Sequence, residues 1–182
     1  MTIQDGDIIL VHGGKDWLST LIRFFSRSSY SHTALGAGTY DNKQMVFEAK
    51  ALVLLTKWNS GVGRGPVTIY KWNKPEHQAA AAETIEQLIN ELNGSYYGFA
   101  QLLWFLWRWI VDSLHLPRRF AIHNWMPGGR ICTEVVYLAI ERTCKKIGFP
   151  FYYEYGLNAV TPEDIKNILV SLKEHNLVNE RL

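Results

Sequence analysis

Cysteine is scarce in this chain: its 182 residues hold two, Cys132 and Cys144. Two cysteines do not make a disulfide framework. On one helix, twelve residues apart, they stand roughly 18 Å from each other at 1.5 Å per residue. A disulfide needs Cα atoms within ~7 Å, so the chain is expected not to depend on oxidation and to suit a reducing compartment. Charge is scarce too, with a net +2. The basic pairs Arg23/Arg27, Arg118/Arg119 and Lys145/Lys146 form no continuous stripe with interleaved aromatics and read as solvated helix faces, so nucleic acid is not an expected partner. Long hydrophobic runs are missing. The most apolar stretch, 99–111, falls short of the ~20 residues that span a bilayer, and Arg108 interrupts it. The start, MTIQDGDIILVHGG, has no basic leader or apolar core with a cleavage site. The expectation is a soluble, cytoplasmic chain without a secretory signal or transmembrane helix. No CxxC or HExxH spacing occurs, so neither a metal nor another cofactor is expected. Internal repeats and low-complexity segments are absent as well.

Apolar and aromatic residues are plentiful, at 47% and 13% of the chain. That is enough for one domain over 1–182 with a continuous core. Seven Trp and nine Tyr exceed what a dry core takes easily, because each polar tip needs a partner; some belong to a groove or an interface. The order of elements is legible. Asp7–His12 reads as a buried strand stopped by Gly13-Gly14. Lys15–Arg27 has helical apolar spacing with a wide apolar face. Thr33–Gly38 and Gln44–Lys50 read as strands joined by a turn at Tyr40–Lys43, followed by strands at Leu52–Trp58 and Val67–Trp72. Beyond Pro75 the pattern turns helical, over 75–93, 99–116 and 131–147. A further helix begins at Thr161-Pro162-Glu163-Asp164, where Thr161 caps, Pro162 fits the first turn and two acids meet the positive dipole end. Strands first and helices second predict an α+β fold.

Chemistry concentrates at few positions. Cys132 follows Gly128-Gly129 and opens the helical pattern ICTEVVYLA. A thiol in a first helical turn meets unpaired backbone N–H groups, which lower its pKa and can hold an oxyanion. Position alone also fits a small buried core residue, the reading that suits Cys144 late in the same helix. A thiol nucleophile needs a base. Of six histidines, His12 ends a strand, His77 and His175 sit on polar helices and read as solvated, and His115 and His123 flank the loop before Cys132 as spare candidates. His32, in SYSHTAL, stands at the mouth of a strand, where it can face a cleft. Glu48 is a charge inside the apolar strand MVFEA, which is costly to bury unless paired, and it suits the orienting role toward an imidazole. Faces alternate along strands, so a strict two-residue Asp41-Asn42 turn would put His32 and Glu48 on opposite faces. An odd loop or a bulge is required for them to meet.

In order along the chain, GDIIL, SHTAL, VFEA, YYG, ICTEVVYLA and TPEDI resemble a circularly permuted branch of the papain-like NlpC-type superfamily, which includes YiiX-like proteins and a poxvirus relative. The resemblance covers 6–50 and 131–165. It implies a permuted papain-like fold, in which an antiparallel sheet or small barrel packs against the helix bearing the cysteine. It further implies Cys132 as nucleophile, His32 as base and Glu48 as orienting residue, the last two preceding the cysteine in the chain. Tyr30 and Thr133 are supporting candidates near the oxyanion, without a motif match. Segment 99–127 departs from the pattern as an aromatic-rich insertion. It reads as core packing, as a wall of a substrate groove, or as a membrane-surface contact in which Arg108, Arg118 and Arg119 meet lipid headgroups.

Three functional classes follow. The first is a cysteine amidase or peptidase acting through a thioester on peptides, cell-wall peptides among them, or on amide-linked lipids. The second is a thiol acyltransferase or lipid hydrolase like the lecithin retinol acyltransferase relatives. The third is a binding module that kept the cleft without catalysis.

Overall fold

The computed structural model describes residues 2–13, 17–50, 52–58, 65–96, 101–117, 131–152 and 160–181. Its elements run β1 (Ile8–His12), α1 (Trp17–Ser26), β2 (Tyr30–Tyr40), β3 (Lys43–Ala49), β4 (Val53–Lys57), β5 (Val67–Trp72), α2 (Pro75–Leu92), α3 (Gln101–Ser113), α4 (Cys132–Lys146), α5 (Pro162–Glu174) and β6 (Val178–Arg181). The fold is α+β. Six strands form one antiparallel sheet in the order β4-β3-β2-β1-β5-β6. Its two outer strands do not pair with each other, so the sheet is open and not a closed barrel.

Period-two alternation sorts the side chains of this sheet into two cores. Ile8, Leu10, Leu35, Phe47 and Tyr70 pack with Leu88 of α2, Val136 and Ile140 of α4, and Leu169 of α5. Ile9, Ala34, Val46 and Ile69, one position out of phase, join Ile3 and Trp58 on the other face. Being apolar on both faces, β1 reads in sequence as a continuous hydrophobic run. α1 and α3 pack side by side, with Phe24 and Phe25 against Trp109 at ring-centroid distances of 5.6 and 5.9 Å. Edge strand β6 has no hydrophobic pattern in its sequence VNER; pairing with β5, Trp72 opposite Val178, creates it. Among the described residues no helix is long and apolar enough to cross a membrane. Residues 118–130, most of the expected loop before Cys132, and Tyr97-Gly98 of the YYG motif lie outside the described residues.

The β2–β3 hairpin contains both features that the face arithmetic weighs. Tyr40 opposes Lys43 across the two-residue Asp41-Asn42 turn, whose residues both have positive φ (49° and 57°), as a type I′ turn requires. That register would separate His32 from Glu48. Farther along, Gly36 opposes Val46 while Thr39 opposes Gln44, so Ala37 and Gly38 together face Met45 alone. This bulge shifts the register by one residue, and Ala34 then opposes Glu48. His32 and Glu48 therefore share a face as diagonal neighbours. Gly38 makes the bulge possible: its φ is +68°, and a Cβ there would run into the Asp5 carboxylate. Gly38→Ala is expected to lower stability by roughly 1–3 kcal/mol, read as a fall in Tm. Gly94→Ala, at φ +86° with open space around the added methyl, should cost only about 1 kcal/mol.

Candidate active site

Glu48 is 1% exposed, and its ionised form is held by three donors. Oε2 lies 2.8 Å from His32 Nε2, Thr56 Oγ1 donates to Oε1 over 2.5 Å, and Lys50 Nζ lies 2.7 Å from the same oxygen. Thr56 opposes Val46, so it approaches from β4 on the face that Glu48 shares. Burial alone would raise the Glu48 carboxyl; the bonds from His32, Lys50 and Thr56 outweigh it and bring the pKa down to about 2. A carboxylate at this pKa has no proton to give, so Nε2–H donates to it. The other ring nitrogen, Nδ1, is left for a second partner.

That partner is the thiol. Cys132 is the first residue of α4 and buried, and its thiol lies close enough to the His32 ring for each group to shift the other's pKa. Burial pushes against charge on both groups. Against it, the thiolate and Glu48 together raise the imidazolium to about 9. His32, with the Thr33 N–H and hydroxyl, lowers the thiol. The pair therefore favours thiolate and imidazolium over thiol and neutral ring. Amides of the first turn of α4 lack helical acceptors by geometry. Two of them, of Glu134 and Val135, bond the Ile131 carbonyl. Those of Cys132 and Thr133 lie at the positive end of the helix, where an oxyanion on an acyl group bound to Cys132 would be stabilised. Glu134, fully buried, reaches back to the Ile131 N–H at 3.3 Å and fixes the entry to the helix.

Thr33 is the site residue that sequence reasoning overlooked. Its hydroxyl is fully buried and has no hydrogen-bond partner among the described residues. A buried hydroxyl without an acceptor calls for an explanation, and this one, with the Thr33 N–H, lies near the Cys132 thiol and favours its ionised form. The signal was available in the sequence. Thr33 is a polar residue next to the candidate base, on the phase of Leu35 that faces the helices. His32 has the opposite phase and still reaches the thiol. Beside it, Val11 opposes His32 while His12 opposes Tyr30, which leaves Ser31 as a bulge, an irregularity that bends a strand and re-aims its side chains.

Cys132, His32 and Glu48 thus come together. The two supporting candidates have other engagements. The Thr133 hydroxyl donates to the Val160 carbonyl over 2.6 Å and ties α4 to the start of α5. The Tyr30 hydroxyl lies 3.3 Å from Thr68 Oγ1, and its ring packs on His12 at 4.5 Å. Cys144 is fully buried, and desolvation pushes its thiol up to about 12, in keeping with a core residue. His175 is exposed, as expected. His77 departs from the solvated reading: it is buried on α2, edge-on to Trp72 at 6.5 Å, because that helix face packs on β5. His115 is exposed in the turn after α3, and His123 lies outside the described residues. The expectation that Arg108 meets headgroups is corrected. Its guanidinium forks onto Asp164 at 2.5 and 3.0 Å and, 9% exposed, braces α3 against the capped start of α5.

With this geometry in view, comparison with known proteins is informative at one level. No family model matches the sequence, and no curated protein matches it. The fold is similar to that of the metalloprotein YiiX of Escherichia coli O157:H7, described under DUF1105. The TM-score is 0.51 at 18% identity, over 100% of this chain and 98% of that one. The chain has a YiiX-like α+β fold. At this identity the likeness is one of architecture, and the function has to be argued from the site.

Proposed function

We propose that this YiiX-like chain is a cysteine hydrolase of the permuted papain-like type, acting on an amide bond. One observation carries the reading: a helix-head thiol is coupled to a neighbouring imidazole whose ring nitrogen is held by a buried, ionised carboxylate. The chain order, His32 and Glu48 before Cys132, is that of the permuted branch. The Cys132 thiolate attacks the acyl carbon, a C–S bond forms, and the oxyanion faces the first-turn amides of α4. Collapse breaks the C–N bond, and the amine leaves with the proton that His32 supplies. Water then attacks the thioester and gives a proton to His32. The C–S bond breaks, the carboxylic acid departs, and the thiolate–imidazolium pair is restored. Glu48 does not accept the proton; it holds the ring in orientation and stabilises its charged form.

YiiX is described as a metalloprotein. Among the described residues of this chain no group of three or more His, Cys, Asp or Glu is placed to hold a metal ion, and no step here runs through one. A second reading, thiol acyltransfer or lipid hydrolysis, shares the acyl-enzyme and differs in what takes the acyl group; the exposed aromatics of α1 and α3 favour it over a purely peptidic substrate. The test is turnover of cell-wall peptides and of acyl-amide and phospholipid vesicles by wild type and by Cys132→Ser. Wild type should act on one class, with Cys132→Ser slower by about 10³-fold or more. Equal rates in the two proteins, or no turnover by wild type in any arm, favour the non-catalytic binding module instead.

A further inference from the structure

Helix α1 has one wide apolar face and buries only part of it. Ile22 points into the protein, and Phe25 packs against Trp109. Trp17, Leu21 and Phe24 point out, 72%, 40% and 59% exposed. At 100° per residue these three lie within an arc of about 60°, so they form one stripe along the helix. Ser19, Thr20, Arg23 and Ser26 fall on the opposite side, so α1 is an amphipathic helix whose apolar face is left partly uncovered. Trp107 of the neighbouring helix, and Leu114 and Leu116 in the turn after it, are exposed as well. Apolar patches of this kind on a folded surface mark a contact.

The charges bordering the patch indicate which contact. Over residues 17–27 and 101–117 the ionised groups are Arg23, Arg27 and Arg108 against Asp112 alone, and α1 has no acid. Arg108 is taken up by Asp164, whereas Arg27 is exposed, with its guanidinium on the Ser113 hydroxyl. Trp and Phe beside exposed Arg match the interfacial zone of an anionic bilayer, which takes aromatic rings at headgroup depth and attracts basic side chains. Beside the patch, a cavity of about 590 Å³ is lined by Phe25, Arg27, Trp109 and Leu116 and, on its far side, by Asp112, Glu163 and Asp164.

The geometry points to the α1–α3 face as a docking surface for an anionic membrane, from which the chain takes an acyl-chain amphiphile as substrate. The docking stands on the surface alone; the substrate part rests on the cysteine-hydrolase reading. The test uses full-length protein with vesicles of phosphatidylcholine, and with the same vesicles containing one-third phosphatidylglycerol, followed by co-sedimentation and tryptophan emission. Wild type should bind the anionic vesicles, with a blue shift and with weakening in high salt. Trp17→Ser/Leu21→Gln should bind about tenfold or more weakly; Phe24 is left in place because it packs on Trp109. Arg27→Glu should lose the preference for anionic lipid. Far-UV circular dichroism and Tm report whether each variant keeps its fold. Cys132→Ser should bind as wild type does, which separates docking from chemistry: vesicle binding without thiol reactivity would overturn only the hydrolase reading. Three results would overturn docking: no binding by wild type, undiminished binding by the double variant, or self-association that the double variant abolishes in a protein that ignores vesicles.

Discussion

Iodoacetamide at neutral pH should alkylate Cys132 more than about a hundredfold faster than Cys144. The two thiols are both buried and share one helix, so a crude accessibility argument predicts little difference between them. Their electrostatics differ in sign. Desolvation acts on Cys144 unopposed and pushes it up to about 12, leaving almost no thiolate at pH 7. At Cys132 the same desolvation is outweighed by His32 and by the donors of Thr33. His32→Ala should remove most of the difference by returning Cys132 to an unassisted, desolvated thiol. Thr33→Val should shift the pH midpoint of labelling upward while Thr33→Ser restores it, since serine keeps the hydroxyl and valine keeps the shape. Turnover, unlike labelling, also needs the imidazolium as the acid that releases the amine. It should rise as pH passes the lowered thiol pKa and fall again above about 9, the pKa of His32. Mass-spectrometric labelling rates across pH measure all of this. Equal rates at the two cysteines, or an unchanged rate in His32→Ala, would remove the activated nucleophile.

Replacing Glu48 by glutamine should show itself twice, in activity and in acid stability. A full negative charge at hydrogen-bond distance holds an imidazolium by about one to two pKa units. Its loss should therefore deplete the thiolate–imidazolium pair by about 10- to 100-fold, read in kcat/KM and in the Cys132 labelling rate. The stability effect has a defined sign. The carboxyl is at about 2 when folded, against an ordinary value of 4.5, so its contribution is fully present above about 4.5. It is lost as pH falls toward and through 2, and amounts to roughly 3 kcal/mol. Wild type should lose stability across that window in urea unfolding, and Glu48→Gln should lose correspondingly less. Equal acid limbs in the two proteins would show that the carboxylate is not paired in the folded state.

Much of the site could be read before any coordinates, and each part for a local reason. Glu48 drew notice because a charge inside MVFEA costs too much without a partner. Cys132 did so because glycines before it and an apolar helical pattern after it put it in a first turn. The need for a bulge between His32 and Glu48 followed from parity alone. Its position did not, because Gly38 reveals its left-handed backbone only beside Asp5. Thr33 went unremarked because a threonine on a strand is ordinary until its hydroxyl is seen buried and unpartnered near the thiol. Arg108 was misjudged among its aromatic neighbours, since its partner Asp164 lies 56 residues away.

By itself the sequence determined the succession of strands and helices, the place of the thiol at a helix head, and the absence of charge and hydrophobic runs on the scale that nucleic acid or a membrane span would demand. These follow from periodicity, capping and composition, which act over a few residues. Tertiary structure alone decided which imidazole meets the sulfur, which phase of β2 faces the helices, that VNER completes the sheet, and that α1 leaves an aromatic stripe uncovered. Each of these is a matter of register or packing between segments distant in the chain, and short-range patterns carry no information about such separations.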